Sequence, residues 1–245
     1  MWFDLWLVMG GWSLLCSVSI FALLYVSVTG SDQPYSLSEL CKFQWQYARY
    51  GLVASICSWV RADGLMLFLA TTAGLEAIAQ TRAVFNLTNP IIHAMLALNS
   101  TWLVTFSRGH GRDHNWAYLR RIIGIYCVAA ALVLIVVAEA ATPMVRLFYG
   151  GRYLEGAWLF PFFCLAHLCN GMEMLLAGFL KGIGSLKRGY APQIIGCMVA
   201  LALGLWLIPT KNEAGYIFAV IASFVTGAAI AGGSLLHMRR QVAVG

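Results

Sequence analysis

Long, uninterrupted apolar stretches limit what this chain can fold into more than any other feature of its sequence. Residues 5–28 and 214–236 are apolar on every side of a helix, without the alternation of polar and apolar positions that membrane β-strands show. About 20 such residues are enough to cross the hydrocarbon core of a bilayer as an α-helix. We therefore expect an all-α fold, a polytopic bundle of transmembrane helices.

The composition supports this class and excludes others. Of the 245 residues, 60% are hydrophobic and 11% are charged, against roughly 45–50% and 25% in an ordinary soluble domain. Aromatic residues make up 13% of the chain, and disordered proteins contain few aromatic residues. The composition therefore excludes a disordered chain.

About seven segments are predicted to span the membrane. The short linker from Thr210 to Glu213 follows Pro209, and it predicts a tight antiparallel hairpin between the last two of these segments. In the last segment, Gly227, Ala231 and Gly232 have a spacing of small residues that allows close helix approach. The segments are residues 5–28, 50–72, 84–105, 119–141, 157–180, 190–209 and 214–236.

The distribution of Lys and Arg predicts the orientation, because positive charge is retained on the cytoplasmic side. Eleven of these residues fall in one alternating set of loops and four in the other, and the richer set includes Arg239 and Arg240. The C-terminus is therefore expected in the cytoplasm and the N-terminus outside. The net charge of +6 is explained by these loops and needs no nucleic-acid partner. Because residues 1–4 lack a basic n-region, the chain reads as though it starts in mid-protein.

Ionisable side chains inside the predicted spans are the most informative residues, since each costs about 2.5–3.5 kcal/mol to insert. They are Arg61, Asp63 and Glu173. Two residues apart on a helix, Arg61 and Asp63 point about 200° away from each other, so each needs a partner on another helix. For Arg61 the candidates are Glu173 and an anionic substrate group. Either Arg61 and Glu173 form an interhelical pair while Asp63 accepts hydrogen bonds from a neighbour, or at least one of the three lines a polar pathway.

A histidine in the third predicted span joins them as a candidate substrate-binding residue. His93 follows Pro90, and the polar residues Asn86, Thr88 and Asn89 precede it. We expect a hydrogen-bonded packing role for His93, with a place on a polar pathway as the alternative.

No motif for catalysis, metal binding or a cofactor is present in the sequence. The seven cysteines are scattered without C-x-x-C spacing, and the five histidines lack the spacing of metal ligands. The chain also lacks a P-loop and a G-x-S-x-G nucleophile elbow. We expect no catalytic residues, no metal site and no cofactor, and therefore not an enzyme.

Three stretches together resemble a known family. The first runs from Arg61 and Asp63 through residues 71–75 to Asn86-Leu87-Thr88-Asn89-Pro90. The second is 147–153, Leu-Phe-Tyr-Gly-Gly-Arg-Tyr, and the third is Gly182-Ile183-Gly184 with Lys187. In order and spacing they resemble helices seven to eleven of the polysaccharide and oligosaccharide-lipid flippases, in the multidrug/oligosaccharidyl-lipid/polysaccharide exporter superfamily.

This resemblance implies a two-lobe transporter that rocks to expose a lipid-pyrophosphate-linked sugar on alternate sides of the membrane. Residues 1–49 would hold the last helix of a missing N-terminal lobe and a cytoplasmic linker, and 237–245 a cytoplasmic tail. The six-helix C-terminal lobe would be 50–236. Asp63 would occupy the position of an acidic residue often seen in the seventh helix of the family, and Arg61 would be a neighbouring cation that binds the cargo phosphate.

The expected function is thus export of a lipid-linked oligosaccharide or polysaccharide precursor across a bacterial inner membrane. The expected partners are this anionic glycan lipid, membrane lipids and a separate N-terminal lobe or glycan-assembly proteins. A cation-coupled multidrug exporter of the same superfamily and a non-transporting membrane fragment or scaffold are the alternatives.

Overall fold

The structure, a computed structural model, describes residues 37–107 and 112–244, which are helical almost throughout and contain no strand. The chain divides into two units between Ala48 and Arg49. The first predicted span, 5–28, lies outside the described residues. For the described part, the expectation of an all-α fold is confirmed.

Five helices make up most of the described chain. A single π-helical turn, Val60–Gly64, joins the first two, and a 3-10 turn, Leu154–Gly156, precedes the fourth. The helices are α1 (Leu37–Trp59), α2 (Leu65–Ser107), α3 (Arg112–Tyr149), α4 (Leu159–Gly182) and α5 (Leu186–Val244).

Four stretches of the described chain are helical, long and apolar enough to cross a membrane, which supports the expected membrane character. They are Ala48–Ser107, Trp116–Tyr149, Leu159–Gly182 and Leu186–Gln241.

Helix α2 reverses direction at Gly74. This residue has φ 89°, a conformation that glycine adopts without steric cost. Asp63 and Arg82 lie on either side of the turn, and their side chains meet at 2.9 Å. In a straight helix these residues would be about 28 Å apart, so the segments before and after Gly74 form a hairpin.

A second reversal lies inside α5, at Asn212, which has φ 50°. Asparagine tolerates this left-handed region better than most residues. The backbone of Leu207 lies against Gly215, whereas eight residues of straight helix would separate them by about 12 Å. The predicted hairpin over 210–213 is confirmed.

Helix α4 lies at the centre of the described bundle and packs against α2, α3 and α5. Phe163, Cys164, Leu175 and Leu180 on this helix are buried. Helix α3 is the most exposed of the membrane-length helices, and its outer face is apolar, as expected for contact with lipid. That face carries Ile125, Val128, Leu132, Ile135 and Val136.

Candidate functional site

The π turn of residues 60–64 carries Arg61. The amide of Leu65 donates to the Val60 carbonyl, five residues earlier, so the turn holds one residue more than an α-helical turn. The hydroxyl of Tyr216 on α5 donates to the Ala62 carbonyl at 3.2 Å. This bond gives a carbonyl of the irregular turn a partner from another helix. Such π turns inside helices occur frequently at functional sites.

Each of the three guanidinium nitrogens of Arg61 donates a hydrogen bond inside the bundle. Its Nη1 and Nη2 atoms donate to the two carboxylate oxygens of Glu173 at 3.2 and 2.7 Å. Its Nε donates to the Ser223 hydroxyl at 3.1 Å, and the ring of Phe224 lies 4.1 Å from its central carbon. The side chains of Arg61 and Glu173 are only 2% and 1% exposed. This two-pronged, charge-assisted contact joins the π turn to α4 and α5.

This geometry decides between the two interpretations of Arg61 for the conformation that the structure describes. Of the two alternatives, the interhelical pair of Arg61 with Glu173 is the one observed. The expectation that Arg61 borders an open polar pathway is not met, because its side chain is buried and its three nitrogens already donate to Glu173 and Ser223.

Two glycines of α5 make room for the ion pair. A Cβ at Gly227 would lie 2.5 Å from the Glu173 carboxylate, and a Cβ at Gly196 would lie 3.2 Å from Nη2 of Arg61. The prediction that Gly227 permits close helix approach is therefore confirmed, and the group that approaches is the Glu173 carboxylate.

Asp63 takes part in a second, exposed ion pair. Its carboxylate accepts from Nη1 of Arg82 at 2.9 Å, and the two side chains are 44% and 48% exposed. The sequence placed Arg82 in a loop, whereas the structure places it in α2, because Gly74 alone makes the turn. Asp63 does accept a hydrogen bond from a neighbour, as one interpretation expected.

Arg82 begins a row of polar side chains that we call the polar stripe. Its residues lie four, three, four and seven positions apart, a spacing that places them on one face of a helix. Each is exposed or half-buried, in a segment that is part of a membrane-length apolar stretch. The stripe consists of Arg82, Asn86, Asn89, His93 and Ser100.

His93 does not have the packing role that its sequence context suggested. Its side chain is exposed, and no residue of 37–107 or 112–244 is within hydrogen-bonding distance of it. The packing expectation failed because the surrounding α2 turns direct this face away from α4 and α5. Its position in the polar stripe agrees with the alternative, a place on a polar surface.

A buried histidine that the sequence did not single out lies close to Arg61. Nε2 of His167 is 2.9 Å from the Thr88 hydroxyl, which donates its own hydrogen to the Phe85 carbonyl at 2.7 Å. Because that hydrogen is already used, His167 must be the donor to Thr88. A cavity of about 40 Å³ between Arg61 and His167 is large enough to hold a water molecule.

The chain matches no protein-family model, no curated protein and no solved structure. Within the described ranges, no group of three or more His, Cys, Asp or Glu side chains could hold a metal ion. The function must therefore be inferred from the two ion pairs, the polar stripe and the resemblance identified in the sequence.

Proposed function

We propose that this chain is the C-terminal half of an exporter that flips lipid-linked oligosaccharide or polysaccharide precursors across a bacterial inner membrane by alternating access. The observation that carries this proposal is the polar stripe. Polar and ionisable groups at membrane depth are costly in contact with lipid, and they normally face a bundle interior or a wet cavity. The stripe points away from the described bundle, so its polar side chains must contact either water or another protein surface rather than lipid.

The proposed topology has seven crossings. The reversals at Gly74 and Asn212 divide Ala48–Ser107 and Leu186–Gln241 into two parts each, and every part exceeds the about 20 residues that one crossing requires. With α3 and α4 this makes six crossings, and the segment 5–28 would be the seventh. The C-terminus would then lie in the cytoplasm, as the loop charges predict.

In this proposal the polar stripe is one wall of the cargo cavity, and the missing N-terminal lobe forms the facing wall. Arg82 is the cation best placed to bind the cargo phosphate, because its present partner Asp63 is exposed with it. Exposed ion pairs are worth little free energy, whereas a guanidinium binds phosphate strongly through two parallel hydrogen bonds. Exchange of Asp63 for a phosphate therefore costs little.

Arg61 and Glu173 have a different part in the same mechanism. Their buried pair fastens the π turn to α4 and α5, so that these segments move together when the lobes rock. Arg61 itself could bind cargo only after leaving Glu173. Asp63, exposed together with Arg82, loses its partner when Arg82 turns to the cargo, and this freed carboxylate is the site at which an ion gradient is coupled to export.

The test is glycan export by Arg82→Gln and Asp63→Asn variants in the host organism, in a strain whose own copy of the gene is deleted. Lys211→Gln, an exposed cation outside the polar stripe, is the matched control. We expect Arg82→Gln to reduce surface glycan at least tenfold and to raise the lipid-linked precursor inside the cell, while Lys211→Gln exports normally. Tagged protein in the membrane fraction must be equal in all strains.

Normal surface glycan from both variants would overturn the proposal. Asp63 also carries the second candidate function, since an exposed carboxylate is what a cationic drug would bind. Efflux of a cationic dye that is lost with Asp63→Asn, together with unchanged glycan, would identify the multidrug exporter. The DNA upstream tests the missing lobe, because the proposal requires about five further apolar spans there or in a neighbouring gene.

A further inference from the structure

Aromatic and positively charged side chains from three helices meet at one end of the described bundle. The rings of Tyr50 on α1 and Tyr190 on α5 stack almost in parallel, with their centroids 6.0 Å apart. Nζ of Lys181, in the last turn of α4, lies 4.0 Å from the centre of the Tyr190 ring. The guanidinium of Arg49 lies 4.9 Å from the centre of the Tyr50 ring, and its Nη2 donates to the Tyr50 hydroxyl at 3.4 Å. Each ring therefore holds one cation in place.

A third cation, Lys187, lies beside this stack. It is exposed, and it precedes Tyr190 by three residues on α5, so the two side chains share one face of the helix. Lys181 reaches the same place from α4 because Gly189 leaves room for it. A Cβ at Gly189 would lie 2.5 Å from Cγ of Lys181. We call this group the cationic cluster; it consists of Arg49, Lys181 and Lys187 with the rings of Tyr50 and Tyr190.

The cationic cluster lacks an acidic partner in the part of the bundle that the structure describes. None of its three cations forms an ion pair with a residue of 49–107 or 112–244. Lys181 is half-buried, and a charge that has lost part of its water is costly unless an opposite charge compensates it. The three positive charges also repel one another. An anion bound among them would remove both costs.

The positions of the three cations in the chain place the cluster at the boundary of the membrane. Arg49 and Lys187 each lie one residue after the start of a membrane-length stretch, and Lys181 lies one residue before the end of another. The ring contacts join these ends, so all three lie at the same face of the bilayer. The anions concentrated at this boundary are lipid phosphates, and basic pockets between transmembrane helices on the cytoplasmic side bind such headgroups.

We infer that the cationic cluster binds the phosphate headgroup of one anionic phospholipid from the adjacent leaflet. Lys181 and Lys187 bind the phosphate, the ring of Tyr190 holds Lys181 in position, and Arg49 adds a third positive charge. The bound headgroup thereby joins the ends of three membrane-length stretches. The site requires only the membrane character of the chain, and it is separate from the polar stripe and from the proposed cargo.

The test counts the lipids that the purified full chain retains, by native mass spectrometry from detergent. The probes are phosphatidylglycerol and phosphatidylcholine with identical acyl chains. We expect the wild type to prefer one phosphatidylglycerol by about 25-fold, because each of the two lysines contributes a factor of about five. Lys181→Gln with Lys187→Gln should abolish the preference. Arg239→Gln with Arg240→Gln removes the same charge from exposed positions outside the cluster and should preserve it, and equal losses from the two pairs would overturn the inference.

A second pair of variants tests the aromatic part of the cluster. Tyr190→Phe retains the ring beside Lys181 and should keep the preference. Tyr190→Leu removes the ring and should reduce the preference about two- to fivefold, the usual size of a cation–π contact. The preference is a ratio of two lipids on the same variant, so a general loss of stability does not change it. Equal preferences in these two variants would overturn the inference.

Competition identifies the source of the phosphate. Phosphatidylglycerol should stay bound after incubation with an excess of inorganic phosphate, because the free ion has no acyl chain in the hydrocarbon core. Displacement by inorganic phosphate would overturn the inference and show a site for a soluble anion. Stronger retention of a polyprenyl phosphate than of phosphatidylglycerol would also overturn it, because the cluster would then belong to the cargo.

Discussion

Arg61 and Glu173 meet through both carboxylate oxygens although they are 112 residues apart in the chain. The pair is buried on all sides, and its members come from the π turn and from α4. Burial makes the two partners unequal, because a carboxyl group can take up a proton whereas a guanidinium cannot lose one in a protein. Removal of Glu173 and removal of Arg61 should therefore lower the stability of the protein by different amounts.

Glu173→Leu should destabilise the protein more than Arg61→Leu. Loss of one partner of a buried ion pair costs about 3–5 kcal/mol, and Glu173→Leu leaves a guanidinium that cannot become neutral. The double variant, with leucine at both positions, should recover most of the lost stability, because no charge is left buried. Thermal unfolding in detergent measures all three, and a double variant less stable than both single variants would contradict this expectation.

Gly227→Ala should lower the free energy of unfolding by about 1–3 kcal/mol, since overpacking costs this much and the new methyl group would lie 2.5 Å from the Glu173 carboxylate. Gly233→Ala is the control, because nothing lies within 4 Å of its added Cβ. The control should match the wild type or gain up to about 1 kcal/mol from helix propensity. Equal unfolding temperatures for the two variants would show that Gly227 has no special role in seating the carboxylate.

Thr88→Val should cost about 1–3 kcal/mol, because it leaves the buried imidazole of His167 without its partner. Thr81 provides a matched comparison: it is equally buried, and its hydroxyl has no hydrogen-bond partner in the described part of the chain. Thr81→Val should therefore be neutral or stabilising. The same unfolding measurement tests both, and a larger loss from Thr81→Val would contradict the hydrogen bond to His167.

Arg82→Gln and Asp63→Asn should leave the unfolding temperature almost unchanged. Their ion pair is about half exposed, and such pairs contribute about 0–1 kcal/mol. The contrast with Arg61 and Glu173 separates a structural pair from a functional one, because the exposed pair should affect export without affecting stability. A loss of stability comparable to that of Glu173→Leu would remove this distinction.

Cysteine labelling tests whether the polar stripe faces water. In a variant without native cysteines, Asn86→Cys and His93→Cys should react in intact membranes with a charged maleimide, because the reactive thiolate forms readily only where water is present. Val128→Cys and Leu132→Cys, on the apolar face of α3, should react at least about tenfold more slowly. Equal rates at the four positions would argue against a wet cavity wall.

The sequence predicted the helical class and the hairpin at 210–213 because these depend on local composition and on short linkers. It also indicated the pairing of Arg61 with Glu173 as one of two interpretations, because a buried charge at membrane depth requires an opposite charge, but it could not decide between this pair and a place on a polar pathway. The helix after Gly74 begins about ten residues before the predicted third span. Its first residues, Leu75 to Ala83, include Glu76, Gln80 and Arg82, and this polarity resembles that of a loop.

The arrangement of the polar side chains could not be predicted from the sequence. The pairing of Asp63 with Arg82 depends on the register across the turn at Gly74, which depends on packing against α4. The same packing exposes His93 and buries His167, although both histidines lie in apolar segments. The π turn at 60–64 also has no local sequence signature, since its irregular backbone is supported by Tyr216 from a distant segment.

The extra residue in that turn has a consequence for evolution. A single insertion or deletion between Arg61 and Gly64 would rotate Arg61 and residues 49–59 by about 100° relative to α2, and Arg61 would then point away from Glu173. Homologous chains that differ by one residue in this turn should therefore lack either the basic or the acidic member of the pair. Any alignment across this region must allow a gap of one position inside an otherwise continuous helix.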